Sequence, residues 1–568
     1  FDLSELDRSL EGSTPSYRRE AVMSAMRQFA LDSQSEALAV LESELRDGHA
    51  VRPHTLVLAN AISFQADSHC VAQLASSRSA GTLYSNNKYL LKSDAVQSEA
   101  IEENSSRATA WGVSWVHADD VWTTHGITGD GIAVGHLDSG VWMTHPDLVN
   151  GFWVNPGEIA GNGIDDDGNG YIDDVNGYDF GDNDPNPNDD ASGAGHGTHT
   201  AGTVVGDGTG GTATGCAPGA DLIACKVADS SGSMSLGSVW EALDYVVNNG
   251  ARVITMSLGI PGEVPASYMR TERNLANGIR AAGTIFFNSS GNEHGAETPP
   301  TEVGMTARVP APWNPMAVPY SSCGGVVAVG GTSYQGYSYY TASSRGPVHW
   351  GDVDPWNDWD FSTGHGLTKP DVAAPGTSVN STTVGSGYSG NSWSGTSMAC
   401  PHAAGVAALI LEKNPSLSPA GVDSIMEQSA NDLGSFGKDV IYGSGLIDAM
   451  AAIAATPTAT VPHLVATSFT LIDASGDGAI DPGESFELVF DIDNNGTVSG
   501  TNVTAGLAVG AGSSITVTDS AGSFGTIAAG GSADNSGDTF ALTCDGGAVQ
   551  GEIFSIYLTM YAQNGYEK

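Results

Sequence analysis

Apolar positions change their spacing along the chain, and each change marks a different kind of structure. In residues 17–47 they recur every three and four positions, as Val22, Met26 and Phe29 and then Leu38, Leu41 and Leu45, which predicts helix. Ser33 and Glu36 have the spacing of a capping box, and Gly48 supplies a stop. An apolar run at 55–64, a short helix at 67–75 and strand-like pieces at 82–84 and 88–91 complete a small α+β unit. Residues 93–107 are polar and acidic, without any period. From 108 onward, apolar strands at 131–137, 221–227, 251–258, 284–288 and 326–330 alternate with helical stretches such as 236–248. That alternation predicts an α/β domain with a doubly wound, mostly parallel sheet covered on both faces. Ligand chemistry in such sheets gathers outside the carboxyl ends of the strands. Past 455, TPTATVP reads as a linker, and Phe486, Leu488, Phe490 and Ile492 then alternate with polar residues between glycine- and serine-rich turns. An all-β sandwich is expected there. The predicted division is 1–92, a linker at 93–107, 108–455, a linker at 456–463, and 464–568.

Length agrees with several units, since 568 residues are too many for one core. Charge narrows the partners. Lys plus Arg number 21 against 65 Asp plus Glu, a formal net charge of −44, which argues against nucleic acid and anionic membranes and suits calcium or saline surroundings. No stretch approaches the roughly 20 continuous apolar residues of a membrane span. The sequence opens on Phe1 rather than Met, so any export signal is expected to have been removed or to lie outside it. Cys70, Cys216, Cys225, Cys323, Cys400 and Cys544 are scattered without CxxC or Cys/His ligand spacing, so no cysteine-based zinc site is expected. Cys225 lies in a strand-like run and Cys400 near a helix start, where packing suits a thiol.

The candidate chemistry centres on NSWSGTSMACPHAAG at 391–405. It sets Ser397 at the start of a small-residue helix predicted over 398–411, with Gly395 allowing a sharp turn and close approach of another backbone. Pro401 is expected in the first helical turn, where it costs no hydrogen bond, and unpaired N–H groups at that end can face a developing negative charge. Upstream, 135–140 reads GHLDSG after an apolar strand, and 195–202 reads GHGTHTAG before another small-residue helix. Through DSG, HGTH and GTSMACPH the sequence resembles the subtilisin-like serine proteases, the subtilases. The chain order Asp138, His196, Ser397 is that of subtilisin itself.

The resemblance implies that Ser397 attacks a peptide carbonyl, that His196 takes its proton and later passes it to the leaving amine, and that Asp138 orients the imidazole. Asn292, in SSGN, matches the family's oxyanion donor, with the backbone N–H of Ser397 as the second. His199, three residues after His196, is expected to be structural. Ser257, Leu258 and Gly259 match the edge that pairs with an extended peptide, and Ser290 and Gly291 wall a roomy, mostly apolar specificity pocket. WGVSWVHADDVW at 111–122, and segments from Thr341 and Leu367, also resemble subtilases. LVLANAISF within the N-terminal unit is similar to propeptides of subtilases of the bacillopeptidase F kind. It implies a self-inhibiting propeptide followed by a linker that is cut in the active cleft. The implied protein is a secreted, monomeric endopeptidase acting on proteins or peptides. A triad esterase fits less well, because GxSxG lacks its second glycine here.

Two acidic loops suggest calcium. In GIDDDGNGYIDDVNGYDF at 163–180, Asp165, Asp167 and Asn169 alternate before Gly170 as in the first half of an EF-hand loop, and Tyr171 offers its carbonyl. The twelfth position is Asn176 rather than Glu, which leaves Asp173 or Asp174 to complete the shell. In DASGDGAIDPGE, Asp473, Ser475, Asp477 and Glu484 fall at loop positions one, three, five and twelve. Asp147 matches a calcium ligand of many subtilases, but the partner loop at 207–215 lacks the usual asparagine, so no ion is expected there.

Overall fold

Helix α1 (Pro15–Asp47) runs unbroken through Ser33. The capping box is overridden: the Ser33 hydroxyl bonds back to the carbonyl of Ala30 at 3.3 Å and to Asn60 Oδ1 at 3.0 Å, the mid-helix habit of serine. Its buried stripe is Val22, Met23, Met26, Ala30 and Leu41, whereas Phe29 and Leu45 are 36% and 44% exposed. The apolar run at 55–64 folds as a hairpin, β1 (Ala50–Leu56) and β2 (Ala61–Ala66), because Asn60 takes a positive φ that turns the chain. Helix α2 (Ser68–Ser76) is capped by Asp67, which accepts the N–H groups of His69 and Cys70. Two short strands follow, β3 (Lys88–Leu90) and β4 (Val96–Gln97). The computed structural model describes residues 15–77, 109–190, 195–260, 266–298, 302–309, 325–348 and 368–458, most of 462–567, and pieces before 109 such as 88–90 and 96–97. The strand expected at 82–84 and the linker at 93–107 lie outside the described residues, apart from Leu83, Val96 and Gln97.

The central unit opens with α3 (Trp111–Trp115) and α4 (Ala118–His125). It continues through β5 (Ala133–Asp138), β6 (Gly177–Asp179), α5 (His196–Val205), β7 (Asp221–Lys226), β8 (Ser233–Ser235), α6 (Leu236–Asn248) and β9 (Val253–Met256). Then come α7 (Ala266–Ala281), β10 (Ile285–Ser289), β11 (Val327–Thr332), β12 (Val372–Pro375) and the hairpin β13 (Thr382–Thr383) and β14 (Gly387–Tyr388). The unit closes with β15 (Trp393–Ser394), α8 (Thr396–Lys413), α9 (Pro419–Ser429) and α10 (Ala449–Ala455).

Seven strands form one parallel sheet in the order β12-β11-β10-β9-β5-β7-β6. Successive residues of each strand serve opposite cores. Leu222, Ala224 and Val253 face a core with α5 and α8, while Ile223, Cys225 and Ile254 face one with α6 and α7. Burial on both faces is why these strands read as unbroken apolar runs. Chain order reverses beside β5, which lies between β9 and β7, and Leu137 is in register with Met256. The carboxyl ends of β5 and β9 therefore share one rim, carrying Asp138 and Ser257 at the switch point where such folds place ligand sites.

The N-terminal unit docks on α6 and α7. Leu10, Val22, Met23, Met26 and the 56–59 turn join the core that holds Val239, Trp240, Leu275 and Ile279. Buried Asp244 of α6 accepts the N–H groups of Val57 and Leu58. Beyond 462, one sheet combines 464–473, 485–494, 540–544, 515–519 and 532–534, and another combines 521–527, 500–509, 556–562 and 566–567. Phe486, Leu488, Phe490 and Ile492 all point into the core between them. Cys70, Cys216, Cys225, Cys400 and Cys544 are free and buried, and no helix among the described residues is long and apolar enough to cross a membrane.

Candidate active site

Asp138 ends β5 and His196 begins α5, and the two meet: Asp138 Oδ1 lies 2.7 Å from His196 Nδ1, with both side chains nearly fully buried. The carboxylate also accepts the Ser139 N–H at 2.7 Å and the Thr200 hydroxyl at 3.0 Å. Burial alone would raise the Asp138 pKa, but the charge and hydrogen bond of His196 outweigh it and hold the carboxyl below its usual value. Helix α5 has no side-chain cap of its own, since Gly195 occupies that position. Asp189 serves instead. Its Oδ2 accepts the N–H groups of Gly195 at 2.9 Å and Thr198 at 3.1 Å, and its Oδ1 accepts the Ser139 hydroxyl at 3.1 Å. The first turn of α5 is thereby fixed against the DSG turn, so closely that a Cβ on Gly197 would sit 2.1 Å from the Gly140 carbonyl oxygen.

Ser397 is the second residue of α8, 5% exposed, and its hydroxyl donates to the Ser257 carbonyl at 3.3 Å. The helix starts at Thr396, two residues earlier than expected, so Pro401 is its sixth residue and lies inside it rather than in the first turn. The correction has a chemical consequence. Residue 401 would normally donate to the carbonyl of Ser397, four residues back. Proline cannot, and the Ser257 hydroxyl takes that acceptor at 2.8 Å. The Ser397 peptide is thus held by the end of β9.

Asn292 follows β10 and is anchored through its oxygen, which accepts the Thr396 N–H at 2.9 Å and lies 3.2 Å from the Thr396 hydroxyl. Its Nδ2 is left as the donor facing outward. A Cβ on Gly395 would sit 3.7 Å from Ser397 N and 3.8 Å from Asn292 Nδ2, so both N–H groups border the same space. Two donors converging beside a hydroxyl can stabilise an oxyanion. Leu258 offers its carbonyl to Asn288 Nδ2 at 2.8 Å, Gly259 is exposed, and Ser290 is buried, accepting the Gly304 N–H at 3.0 Å. Gly291 donates to the Thr396 hydroxyl at 3.1 Å. The side chain beside Gly291 is acidic: a Cβ there would meet Glu293 Oε2 at 2.3 Å. His199 is structural, bonded to the Ser389 hydroxyl at 3.1 Å and stacked on Trp393 at 4.9 Å, with burial pushing its pKa down to about 3.

His136, Thr200, Asp189 and Thr396 were not singled out by sequence reasoning, although all lie within or near the quoted motifs. His136 Nε2 lies 2.9 Å from the Thr200 hydroxyl, and burial lowers its pKa to about 4. With the Thr200 hydroxyl donating to Asp138, the His136 Nε2 facing it is the protonated nitrogen of the neutral ring and donates to Thr200.

In the first acidic loop, Glu158, Asp165 and Asp167 bring carboxylate oxygens within 4.8 Å of one another. Glu158 comes from ahead of the loop, and no spacing rule points to it. Asp174 is fully buried, and burial raises its pKa to about 6. The amide of Asn155 bridges Asp167 and Asp174, and the amide of Asn169 does the same. Asp173 turns elsewhere, accepting the N–H groups of Asn162 and Gly163. The ring of Tyr171 packs against Tyr178, Phe180 and Tyr245. This set of hard oxygens fits a calcium ion, whose charge would offset the repulsion of carboxylates crowded together. In the second loop, Asp473 accepts the N–H groups of Gly476 and Gly478, and Glu484 accepts those of Ser475 and Asp481; Asp477 lies outside the described residues. Asp147 is satisfied by the Gly210 N–H and the Tyr388 hydroxyl.

Comparison with known proteins matches the geometry. The model of the subtilase family covers residues 129–445. The chain is 33% identical over 348 residues to subtilisin Savinase of Lederbergia lenta, covering 61% of this chain and 99% of that one. It is 32% identical over 358 residues to an alkaline protease of Alkalihalobacillus alcalophilus, covering 63% and 73% respectively. With subtilisin E of Bacillus subtilis strain 168 the identity is 30% over 359 residues, covering 63% and 74%. A carboxylate, an imidazole and a helix-borne serine gathered at one sheet rim, within a sequence this similar, mean that the chain belongs to the subtilase family and is a subtilisin-like serine endopeptidase.

Proposed function

We propose that the protein is a secreted, calcium-stabilised endopeptidase that hydrolyses peptide bonds through an acyl-enzyme and is made as a self-inhibited precursor. The reading is carried by one observation, the 2.7 Å contact of Asp138 with His196 at the rim where Ser397 emerges. Ser397 attacks the substrate carbonyl while His196 accepts its proton. Asp138 keeps the imidazole in the tautomer that can accept, and Asn292 with the Ser397 N–H stabilises the oxyanion. The leaving amine takes the proton from His196, and water then repeats the sequence on the ester. Extended substrate lies along Ser257, Leu258 and Gly259, with a side chain entering beside Ser290 and Gly291. Glu293 next to that pocket favours basic or polar side chains over acidic ones. Calcium, held by Glu158, Asp165, Asp167 and Asp174, supplies charge compensation that stiffens the loop and takes no part in the chemistry. Export as a monomer suits the strongly acidic composition, whose like charges repel one another.

Residues 1–92 act as the inhibitor, 108–455 as the catalytic domain and 464–568 as a β module. Self-processing is supported by two strand pairs. Lys88–Leu90 pairs with Ser233–Ser235, and Val96–Gln97 pairs with Trp393–Ser394, the strand leading into Ser397. The bond cut on maturation falls between Leu90 and Val96, at or just before the start of the linker expected at 93–107. Mass spectrometry of freshly purified protein tests both ideas. Wild type should yield a catalytic chain beginning at one of residues 91–96 and should digest casein. The Ser397→Ala protein should remain at full length and be inactive, and processing in that variant would overturn the reading.

A further inference from the structure

Among the described residues, a second gathering of metal-binding side chains, besides the acidic loop, lies in the N-terminal unit. Glu44 is in the last turns of α1, His49 follows the turn that ends this helix, and His69 is in the first turn of α2. Their ligand atoms all lie within 4.8 Å of one another, and the two imidazole rings are 4.6 Å apart between centroids. A tetrahedral ion with bonds of 2.0–2.1 Å holds its ligands roughly 3.3 Å apart, so about 1 Å of side-chain movement would close the shell.

Three features distinguish this cluster from a chance meeting of surface charges. Glu44 is 7% exposed, and its inward oxygen, Oε2, accepts no hydrogen bond; His69 Nε2 lies 3.8 Å away, beyond hydrogen-bonding distance. A buried carboxylate oxygen in that position is costly without a cation. Asp67 takes His49 Nδ1 at 2.7 Å, which leaves Nε2 as the lone-pair nitrogen, the carboxylate–histidine pairing that orients metal-bound imidazoles. The same Asp67 caps α2 through the N–H groups of His69 and Cys70, and the Asp67 N–H bonds the His49 carbonyl at 3.0 Å, so one residue fixes the placement of both histidines. The core that this part of the unit has to itself is small: Leu41, Ala50, Cys70 and Leu74. Each ligand flanks a member of it in sequence or by one helical turn. A small unit with so little core is where a metal staple contributes most.

We propose that Glu44, His49 and His69 form a site for a divalent transition metal of the zinc class, oriented by Asp67, which locks the end of α1 to β1 and α2. The ligands are imidazole and carboxylate, which is why a search of cysteine spacing does not find them. Calcium is disfavoured by the two nitrogen ligands. Binding at this site does not depend on whether the unit inhibits the enzyme, so the binding measurement stands even if the inhibitory reading fails.

The test uses the full-length chain carrying Ser397→Ala, which keeps the unit attached, dialysed free of transition metals with calcium retained. Zinc chloride is titrated against a chromogenic zinc chelator. One equivalent should bind, and the protein should resist proteolytic trimming of its first 92 residues better with zinc than without. His49→Ala and His69→Ala should each weaken binding by at least about tenfold, and Asp67→Asn by roughly 10–100-fold. Glu44→Gln, which preserves shape, should weaken it while leaving the circular dichroism spectrum unchanged, which separates lost ligation from lost folding. Stoichiometric zinc binding that survives the His49→Ala, His69→Ala double variant, or no binding at all by the folded protein, overturns the proposal.

Discussion

At the residue scale, the Asp138–His196 pair is one end of a longer hydrogen-bonded line. His136 donates to Thr200, Thr200 donates to Asp138, and Asp138 accepts from His196, all of them buried. A hydrogen bond to a charged group is worth about 1.5–3 kcal/mol, and a buried donor left without an acceptor adds its own cost. Thr200→Val removes the hydroxyl at almost constant volume. It should lower kcat roughly ten- to hundredfold with little change in KM, because Asp138 loses a donor that steadies the charge it needs when His196 is protonated. Thr200→Ser should restore most of the rate, and a Thr200→Val enzyme of wild-type kcat would show the line to be packing only. Asp138, His196 and Ser397 stood out as candidates because DSG, HGTH and GTS are local motifs whose residue types are chemically constrained. The relay did not, because a histidine in a strand and a threonine in a helix look like ordinary core residues until the fold brings them to 2.9 Å. Glu158 escaped for the same reason, as a carboxylate contributed from outside the loop that the EF-hand spacing describes.

At the element scale, α8 does two jobs, presenting Ser397 at its start and filling the core with small residues along its length. The sequence announced the helix through its alanines, but not where it begins, because Gly395 and Thr396 read equally as turn. The two-residue shift moved Pro401 inside the helix and turned an apparently harmless proline into the reason that Ser257 can hold the Ser397 carbonyl. Farther along, a Cβ on Gly405 would meet Cys216 Cβ at 2.6 Å, a contact that no rotamer change can relieve. Gly405→Ala sets a helix-propensity gain of up to about 1 kcal/mol against overpacking of about 1–3 kcal/mol. Overpacking should win. Urea unfolding of the Ser397→Ala protein, in which self-digestion is silenced, should show a net loss of about 1–2 kcal/mol from Gly405→Ala. A gain would mean that α8 and the Cys216 segment are less closely packed than the coordinates place them.

At the scale of the whole molecule, the pattern of apolar runs was enough for a parallel sheet between two helical layers and a β module after it, but it could not say what the N-terminal unit covers. Val57 and Leu58 are apolar in any reading, and only the docked fold gives their N–H groups an acceptor in Asp244. Folding buries titrating groups of both signs, in the central unit as well as under the docked one, so stability against pH is a sum of opposed contributions. Burial raises Asp244 to about 7, which favours the folded state on acidification, since the folded protein then holds a proton that the unfolded chain releases. His402 has the opposite sign. It is fully buried in α8, with Nδ1 2.8 Å from the Met398 carbonyl, and burial lowers its pKa to about 4 from an ordinary 6.5. Its neutral form contributes fully above pH 6.5, and the contribution falls as pH drops toward 4, because the unfolded chain takes up the proton first. The loss is roughly 1.4 kcal/mol per pH unit, or about 3 kcal/mol across the window. Substitution isolates it from the carboxylates. In the Ser397→Ala background, the stability difference between the protein with His402 and the His402→Gln variant should shrink by about 3 kcal/mol between pH 7 and pH 4, whatever the absolute curves do. A difference that stays constant over that range would mean that His402 titrates alike in the folded and unfolded chains, and that the close packing of α8 against Gly112 admits a charge.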